Sequence, residues 1–181
     1  MGEIRDVPVG FLGLGDVGRP VLRRLKEQGA AIHATSRSPA LRYKMARDAI
    51  DLCGTPGEIN SKIKNGLIVL MLSQQRLIDA FLTGEDGLLA NLTPGALIID
   101  LGQTSADTTR MLAAQVGEKG AHWLDAPALG TEQEALEGNL TIRVGGRAED
   151  FARAMPLLEA ISQDIRHVGE LGAGQEAVAT A

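Results

Sequence analysis

The most informative motif of this chain is Gly13-Leu14-Gly15-Asp16-Val17-Gly18. It follows the apolar run Val7 to Leu12 and leads into an amphipathic segment that Gly29 ends, after which comes a second apolar run, Ala31 to Thr35. The apolar face of that segment is formed by Val17, Val21, Leu22 and Leu25. The pattern predicts a βαβ unit, in which the first glycine permits a tight turn, the second lets the backbone approach a ligand and the third lets helix pack on strand.

Short aliphatic runs continue to alternate with segments of helical period along the chain. Further strands are predicted at Leu67 to Leu72, Ala96 to Asp100 and Ala121 to Asp125, with a weaker one at Ile50 to Cys53 and two later ones at Leu140 to Val144 and Ile165 to Val168. Helices are predicted at Gln75 to Leu82, Ala106 to Gly117 and Glu149 to Ile161. We therefore expect an α/β fold of Rossmann type, a doubly wound and mostly parallel sheet with helices on both faces.

Composition excludes several other classes of protein. The chain has 181 residues, 44% of them apolar and 23% charged, which is the balance of a soluble domain with a buried core. Its net charge of −5 comes without a basic stretch, so no nucleic-acid partner is expected. Cys53 is the only cysteine and the three histidines lack metal-ligand spacing, so no metal site is predicted. The apolar run from Gly66 to Leu72 is too short for a bilayer, and we expect no membrane association and a cytoplasmic location.

The glycine-rich turn predicts a dinucleotide site. Free amide N–H groups at the start of a helix, together with the positive end of the helix dipole, bind phosphates. NAD-preferring sites carry an acidic residue about twenty positions beyond the glycines, where it accepts hydrogen bonds from the ribose 2′-hydroxyl. This chain has Ser36, Arg37 and Ser38 there, which can bind a 2′-phosphate. The expected cofactor is NADP(H), with NAD(H) as the alternative.

Two simpler interpretations stay open at this point. The glycine-rich turn can merely connect a strand to a helix, and Arg37 can be a solvated charge after the second strand. Asp100 and Asp125 end predicted strands, so each could touch a substrate or cap the next loop. His33 and His122 are interpreted as packing or edge residues of strands.

The run from Val9 to Gly18 resembles the opening of the β-hydroxyacid dehydrogenases, the family of 3-hydroxyisobutyrate and 6-phosphogluconate dehydrogenases. Further motifs of the same family follow in order: Ser36-Arg37-Ser38, Met71-Leu72-Ser73, Gly84 to Leu89, Ile99-Asp100 with Thr104-Ser105, Leu124 to Pro127, and Gly138 to Thr141 with Gly145-Gly146. The resemblance implies that residues 13–18, Ser36, Arg37, Ser38, Leu72, Ser73 and Gln103 contact the cofactor. It also implies hydride transfer between NADP and a small hydroxy acid or semialdehyde.

The chain departs from this family's pattern at several positions. After Asp-Ala-Pro the family has Val-Ser-Gly-Gly, which holds the substrate carboxylate, whereas here Leu129 replaces the serine. Asp100-Leu101-Gly102-Gln103 stands where the family has Asp-x-Ser-Thr, although the Gln103 amide can still donate a hydrogen bond. Gly172-Ala173-Gly174-Gln175 resembles the family's lead into a catalytic lysine, but Val178 occupies that position. The catalytic residues are therefore unassigned.

These departures set the expected domain organisation and the competing functions. We expect a dinucleotide-binding domain over residues 1–168 and the start of an interdomain helix or a tail over residues 169–181, with the family's all-helical C-terminal domain absent. The first hypothesis is an oxidoreductase domain that is not catalytically competent alone, with a homodimer or a partner chain supplying the missing helices. The second is a non-catalytic dinucleotide-binding or interaction module. The third is an assembly surface that has lost cofactor binding.

Overall fold

The computed structural model describes residues 3–180, in which nine strands and eight α-helices occur. The strands are β1 (Pro8–Leu12), β2 (Ala31–Ala34), β3 (Asp51–Leu52), β4 (Leu67–Leu70), β5 (Leu97–Asp100), β6 (His122–Asp125), β7 (Ala128–Leu129), β8 (Leu140–Gly145) and β9 (Ser162–Gly169). The helices are α1 (Gly18–Glu27), α2 (Pro39–Arg47), α3 (Pro56–Ile63), α4 (Gln75–Ile78), α5 (Ala106–Glu118), α6 (Glu132–Glu137), α7 (Ala148–Ile161) and α8 (Ala173–Ala179).

All nine strands form one sheet, which reads β3-β2-β1-β4-β5-β6-β8-β7, with β9 pairing the free edge of β8. The first six strands in this order are parallel, and β8 then runs antiparallel to β6 and β7. The strand order reverses between β1 and β4. Strands β2 and β3 extend the sheet on one side of β1, and the chain then crosses to the other side of β1 to form β4. In a doubly wound sheet, ligands bind at the carboxyl edge beside this reversal.

Both faces of the sheet are covered, as the aliphatic runs predict. In β4, Leu67 and Val69 pack with α1, α6 and α7, whereas Ile68 and Leu70 pack on the opposite face with α3 and α5. The same alternation continues in β5 and β6. The predicted doubly wound α/β fold is therefore confirmed.

Several elements differ from the prediction. Helices α2, α3 and α6 and the short strand β7 were not predicted, and β9 begins at Ser162 rather than Ile165. The helix predicted over Gln75 to Leu82 is regular only to Ile78 and continues as a π-helical turn over Asp79–Thr83. The three missed helices are short, from six to nine residues, so their apolar spacing gives a weak signal.

Residues 169–180 form the end of β9, a turn and α8, which packs against β8, β9 and α5. The predicted domain boundary after residue 168 stays a prediction. Across residues 3–180, no helix combines the length and apolar character that crossing a membrane requires.

Candidate functional site

The glycine loop lies at the carboxyl end of β1, beside the reversal of strand order. Gly13 has a φ of +107°, and a Cβ there would overlap the carbonyl group of Met71. A Cβ at Gly18 would overlap the carbonyl oxygen of Gly13. The tight turn at Gly13 and the close approach of the start of α1 to it therefore require these two glycines, whether or not a ligand is bound.

Gly15 differs from the other two glycines of the loop. A Cβ built on Gly15 would have no atom within 4 Å, and the residue is exposed. Within residues 3–180, the backbone amides of Leu14, Gly15 and Asp16 donate to no acceptor. The loop thus offers free N–H groups and a backbone unshielded by a side chain, which is what close approach of a diphosphate requires.

The segment after β2 forms a second polar surface. The Ser36 hydroxyl oxygen accepts from the Ser38 amide at 3.1 Å, and the Ser38 hydroxyl oxygen accepts from the Leu41 amide at 3.3 Å to cap α2. Each hydroxyl uses only acceptor capacity in these bonds, so its O–H can still donate to a phosphate oxygen. The guanidinium of Arg42 donates to the carbonyl oxygens of Ser36 and Cys53, at 3.3 and 3.4 Å, and so holds this segment against β3.

Arg37 is exposed, and its guanidinium carbon lies 5.4 Å from the centre of the Phe81 ring. Phe81 belongs to the π-helical turn that follows α4, so this contact joins the segments after β2 and β4. No carboxylate within residues 3–180 forms an ion pair with Arg37. Its charge is therefore available to an anionic ligand.

The loops after β1, β4 and β5 lie against one another along the carboxyl edge. Met71 borders Gly13, and a Cβ on Gly102 would lie 2.5 Å from the carbonyl oxygen of Leu72. The Leu72 side chain is buried in the core, so only its backbone faces the edge, whereas Ser73 and Gln103 are exposed. The structure thus brings the residues predicted after β4 and β5 into neighbouring loops.

Both strand-terminal carboxylates, Asp100 and Asp125, form hydrogen bonds with backbone amides of the protein. The Asp100 side-chain oxygen accepts from the Gly102 amide at 3.0 Å. Burial raises the pKa of Asp100 to about 8. The hydrogen bond from Gly102 lowers this pKa, and the charge of Asp125 raises it further. Burial also raises the pKa of Asp125, against the lowering effect of its backbone donors, which include Gly172 and Gln175. Asp100 caps its own loop, while Asp125 binds the start of α8, a distant segment.

Sequence reasoning missed two residues that shape the site, Arg42 and Gln175. Arg42 supports the segment after β2, and Gln175 binds both neighbours of Gln103. Arg42 follows the capping Ser38 by one helical turn, which is a usable local signal, but nothing local marks Gln175 as a partner of residues more than seventy positions away.

Each of the three histidines has a partner of its own within the described residues. His33 Nδ1 lies 2.8 Å from Asp51, and His122 Nδ1 lies 3.1 Å from Asp150. His167 stacks on Phe151 with ring centres 4.9 Å apart. These contacts agree with the interpretation of His33 and His122 as structural residues.

A groove of about 680 Å³ lies between α1, α2 and α6. Leu14 from the glycine loop and Arg19 from the start of α1 are among the residues that line it.

A family model for the NAD-binding domain of 6-phosphogluconate dehydrogenase matches residues 8–169, which is nearly the whole chain. The chain belongs to this family. The resemblance to the β-hydroxyacid dehydrogenases is thereby confirmed, and the cofactor class is a nicotinamide dinucleotide.

Relatives of this NAD-binding domain are oxidoreductases. Mouse mitochondrial 3-hydroxyisobutyrate dehydrogenase is 31% identical over 170 residues, covering 94% of this chain and 50% of the relative. The 2-hydroxy-3-oxopropionate reductase of Escherichia coli is 33% identical over 167 residues, covering 92% and 56%. A solved structure of Psf3 in complex with NADP+ and 2-OPP is 27% identical with a TM-score of 0.87, covering 94% of this chain and 60% of that one. The chain thus spans about half the length of these curated relatives.

Two positions of the chain, Val178 and Leu129, differ from the residues that the family resemblance implies. Val178 is half-buried on α8 and has no ionisable group, while the neighbouring Glu176 is exposed and bound to Arg110 at 2.7 Å. Leu129 lies in β7, and the hydroxyl of the nearby Thr131 is engaged in capping α6. The Glu176 carboxylate and the Thr131 hydroxyl are therefore both engaged within the described residues.

Proposed function

We propose that this chain binds NADP(H) at the carboxyl edge of the sheet, as the cofactor-binding part of an oxidoreductase that acts on small hydroxy acids or semialdehydes. The observation that carries the proposal is Gly15, which has open space beside it and lies among amides without acceptors. Since no neighbouring atom of the chain requires a glycine there, a ligand that needs the space accounts for it. The diphosphate would bind along residues 13–18.

Preference for the 2′-phosphate rests on the segment after β2. Arg37 has no ion-pair partner within the described chain and can form a bidentate pair with a phosphate. Ser36 and Ser38 keep their O–H groups free to donate, and none of the three residues repels an anion as an aspartate would. Leu72, through its backbone, together with Ser73 and Gln103 would border the nicotinamide half.

The bound nicotinamide would supply or accept a hydride, and the chain's own residues would bind and orient it. A carbonyl that receives a hydride also needs a proton at its oxygen. Val178 cannot provide one. We therefore propose that a group outside the described residues of this chain provides the proton.

The second candidate is a non-catalytic dinucleotide-binding or interaction module. Val178 and Leu129 favour it, because both substitutions remove polar groups that the family resemblance assigns to proton transfer and substrate binding. The two candidates share the cofactor site and differ only in turnover.

Titration of the purified chain with NADPH and NADH, followed by nicotinamide fluorescence, tests the shared claim. We expect saturable binding, with NADPH preferred over NADH. Arg37→Ala should weaken the binding free energy of NADPH by about 1.5–3 kcal/mol, the range for hydrogen bonds to charged groups. NADH binding should change little, and Arg47→Ala at the far end of α2 is the matched control. Equal losses for both dinucleotides would refute the 2′-phosphate role.

Absence of saturable binding to the wild-type chain would refute both cofactor-based functions and leave only the assembly surface. Turnover is then assayed with NADPH over a panel of small semialdehydes and ketones. Reduction of any of them assigns an oxidoreductase, whereas tight binding without turnover is expected both from the non-catalytic module and from an oxidoreductase domain that needs a further proton donor.

A further inference from the structure

The loop after β5 is tied to the C-terminal helix by one buried side chain. The Gln175 amide nitrogen donates to the Gly102 carbonyl oxygen at 2.8 Å, and its amide oxygen accepts from the Thr104 backbone amide at 3.0 Å. Gln175 is only 1% exposed. These two bonds hold the residues on either side of Gln103, so a side chain of α8 fixes the backbone at Gln103.

Gln175 is itself held by the end of β6. One Asp125 carboxylate oxygen accepts from the backbone N–H of Gln175 at 3.0 Å and the other from the backbone N–H of Gly172 at 2.8 Å, and Asp125 is fully buried. A Cβ at Gly145 or Gly174 would lie within 3 Å of this carboxylate, so α8 reaches β6 only because both positions are glycine. The contacts form a continuous path from β6 through Gln175 to the loop after β5.

The chemistry of the path is specific to a glutamine side chain. Gly102 offers an acceptor and Thr104 offers a donor, and a neutral primary amide satisfies both at once. The Gln103 side chain has no hydrogen-bond partner of its own within residues 3–180 and is exposed. The backbone that Gln175 holds therefore sets the point from which the Gln103 side chain extends.

We propose that Gln175, anchored by Asp125, is a positioning residue for the nicotinamide half of the dinucleotide and has no part in binding the adenosine half. This inference rests on the proposed cofactor function. The glycine loop and the segment after β2 make no hydrogen bond with Gln175, so loosening the loop after β5 should leave the phosphate-binding end intact.

The test compares Gln175→Met with wild type by calorimetric titration of two ligands, NADPH and adenosine 2′,5′-bisphosphate. Methionine keeps the length and apolar volume of the side chain but loses both hydrogen bonds. We expect the dissociation constant for NADPH to rise about tenfold, because without these two bonds the loop after β5 must be ordered when the cofactor binds. The constant for adenosine 2′,5′-bisphosphate, which lacks nicotinamide, should stay within about twofold of the wild-type value.

Glu176→Gln is the matched control, because it weakens the neighbouring attachment of α8 to Arg110 without touching the loop. It should leave both constants unchanged. Equal effects of Gln175→Met on the two ligands, or no effect on either, would overturn the inference. Failure of wild type to bind NADPH would instead overturn the proposed function, and with it this inference.

A second variant and a ligand-free measurement guard against misfolding of Gln175→Met. Gln175→Glu retains an acceptor for Thr104, but its buried carboxylate would repel the Gly102 carbonyl oxygen, so its loss of NADPH affinity should be at least as large and again absent for adenosine 2′,5′-bisphosphate. In the ligand-free protein, hydrogen exchange at the Thr104 amide should accelerate in Gln175→Met. The Thr109 amide, bonded to Ser105 within the start of α5, should exchange at the wild-type rate. Unchanged exchange at Thr104 would contradict the positioning role directly.

Discussion

At the scale of single residues, the glycine loop contains two glycines that the fold requires and one, Gly15, that it does not. Replacing Gly13 or Gly18 would force overlap with backbone atoms, so loss of binding in those variants would report misfolding. Gly15 has neither a positive φ nor a close neighbour. It is therefore the informative position.

We predict that Gly15→Ala folds with wild-type stability, within about 0.5 kcal/mol, and binds NADPH at least about tenfold more weakly, because its methyl group would occupy the approach path of the diphosphate. Urea unfolding and fluorescence titration measure the two quantities. Gly117→Ala on α5 is the matched control, since a Cβ there also has no atom within 4 Å. It should leave binding unchanged and stabilise the helix by about 0.5–1 kcal/mol. Wild-type affinity in Gly15→Ala would remove the main support for the site.

Asp100 gives the protein a pH dependence whose sign follows from its burial. Burial raises the pKa of Asp100 to about 8 in the folded chain, from an ordinary value of 3.8. Between these values the folded state holds a proton that the unfolded state has lost, so the free energy of unfolding falls as pH rises, by at most about 1.4 kcal/mol per pH unit. Above the folded pKa this contribution becomes constant.

We predict that Asp100→Asn, which keeps an acceptor for the Gly102 amide, flattens this dependence between pH 5 and pH 8, in the window set by the raised pKa. Urea unfolding at several pH values measures it. The variant should be more stable than wild type at the alkaline end. Parallel curves for the two proteins would show that Asp100 is ionised in the folded state throughout this window.

At the scale of elements, helix α6 depends on its N-cap residue, Thr131, and on its third residue, Glu134. Thr131 and Glu134 form a reciprocal capping box, in which the Thr131 hydroxyl accepts from the Glu134 amide at 3.2 Å and the Glu134 carboxylate accepts from the Thr131 amide at 2.7 Å. The helix has only six residues, so little else holds its first turn.

We predict that Thr131→Ala lowers the free energy of unfolding by about 1 kcal/mol, the typical value of a lost N-cap. NADPH affinity should not change, because the capping bonds of α6 involve no residue of the glycine loop or of the segment after β2. Gln133→Ala on the exposed side of the same helix is the control and should cost less than about 0.5 kcal/mol. A cost for Thr131→Ala no larger than that of the control would mean that α6 forms without its cap.

The elements also show how far the sequence alone determines the structure. The βαβ unit was predictable because buried strands and an amphipathic helix leave long periodic signals around residues 13–18. Helices α2, α3 and α6 left only capping signals, at Ser38, Thr55 and Thr131. The role of Gln175 was not predictable, since its bonds to the loop after β5 depend on the sheet bringing α8 beside that loop.

At the scale of the whole molecule, the sheet joins distant segments into one carboxyl edge. Parallel pairing sets Asp100 beside Asp125, and the strand reversal sets the loop after β1 beside the loop after β4. The central strands β4 and β5 are buried on both faces and paired on both sides, whereas β3 and β7 are two-residue strands at the ends of the strand order. Local opening should therefore begin at the ends.

Hydrogen exchange with and without NADPH tests this organisation and the cofactor site together. In the free protein we predict the slowest exchange at the amides of β4 and β5, because these are exposed only by global unfolding. A ligand that binds only the folded state stabilises it by RT ln(1 + [L]/Kd), about 2.7 kcal/mol at a hundredfold excess over Kd, so these amides should slow by about a hundredfold. Amides of β3 and β7, which open locally, should slow much less, because that opening leaves the ligand bound. Slowing confined to the loops of the carboxyl edge would mean that the central strands exchange through a partial opening that retains the cofactor site. An unchanged rate throughout would mean that no dinucleotide is bound.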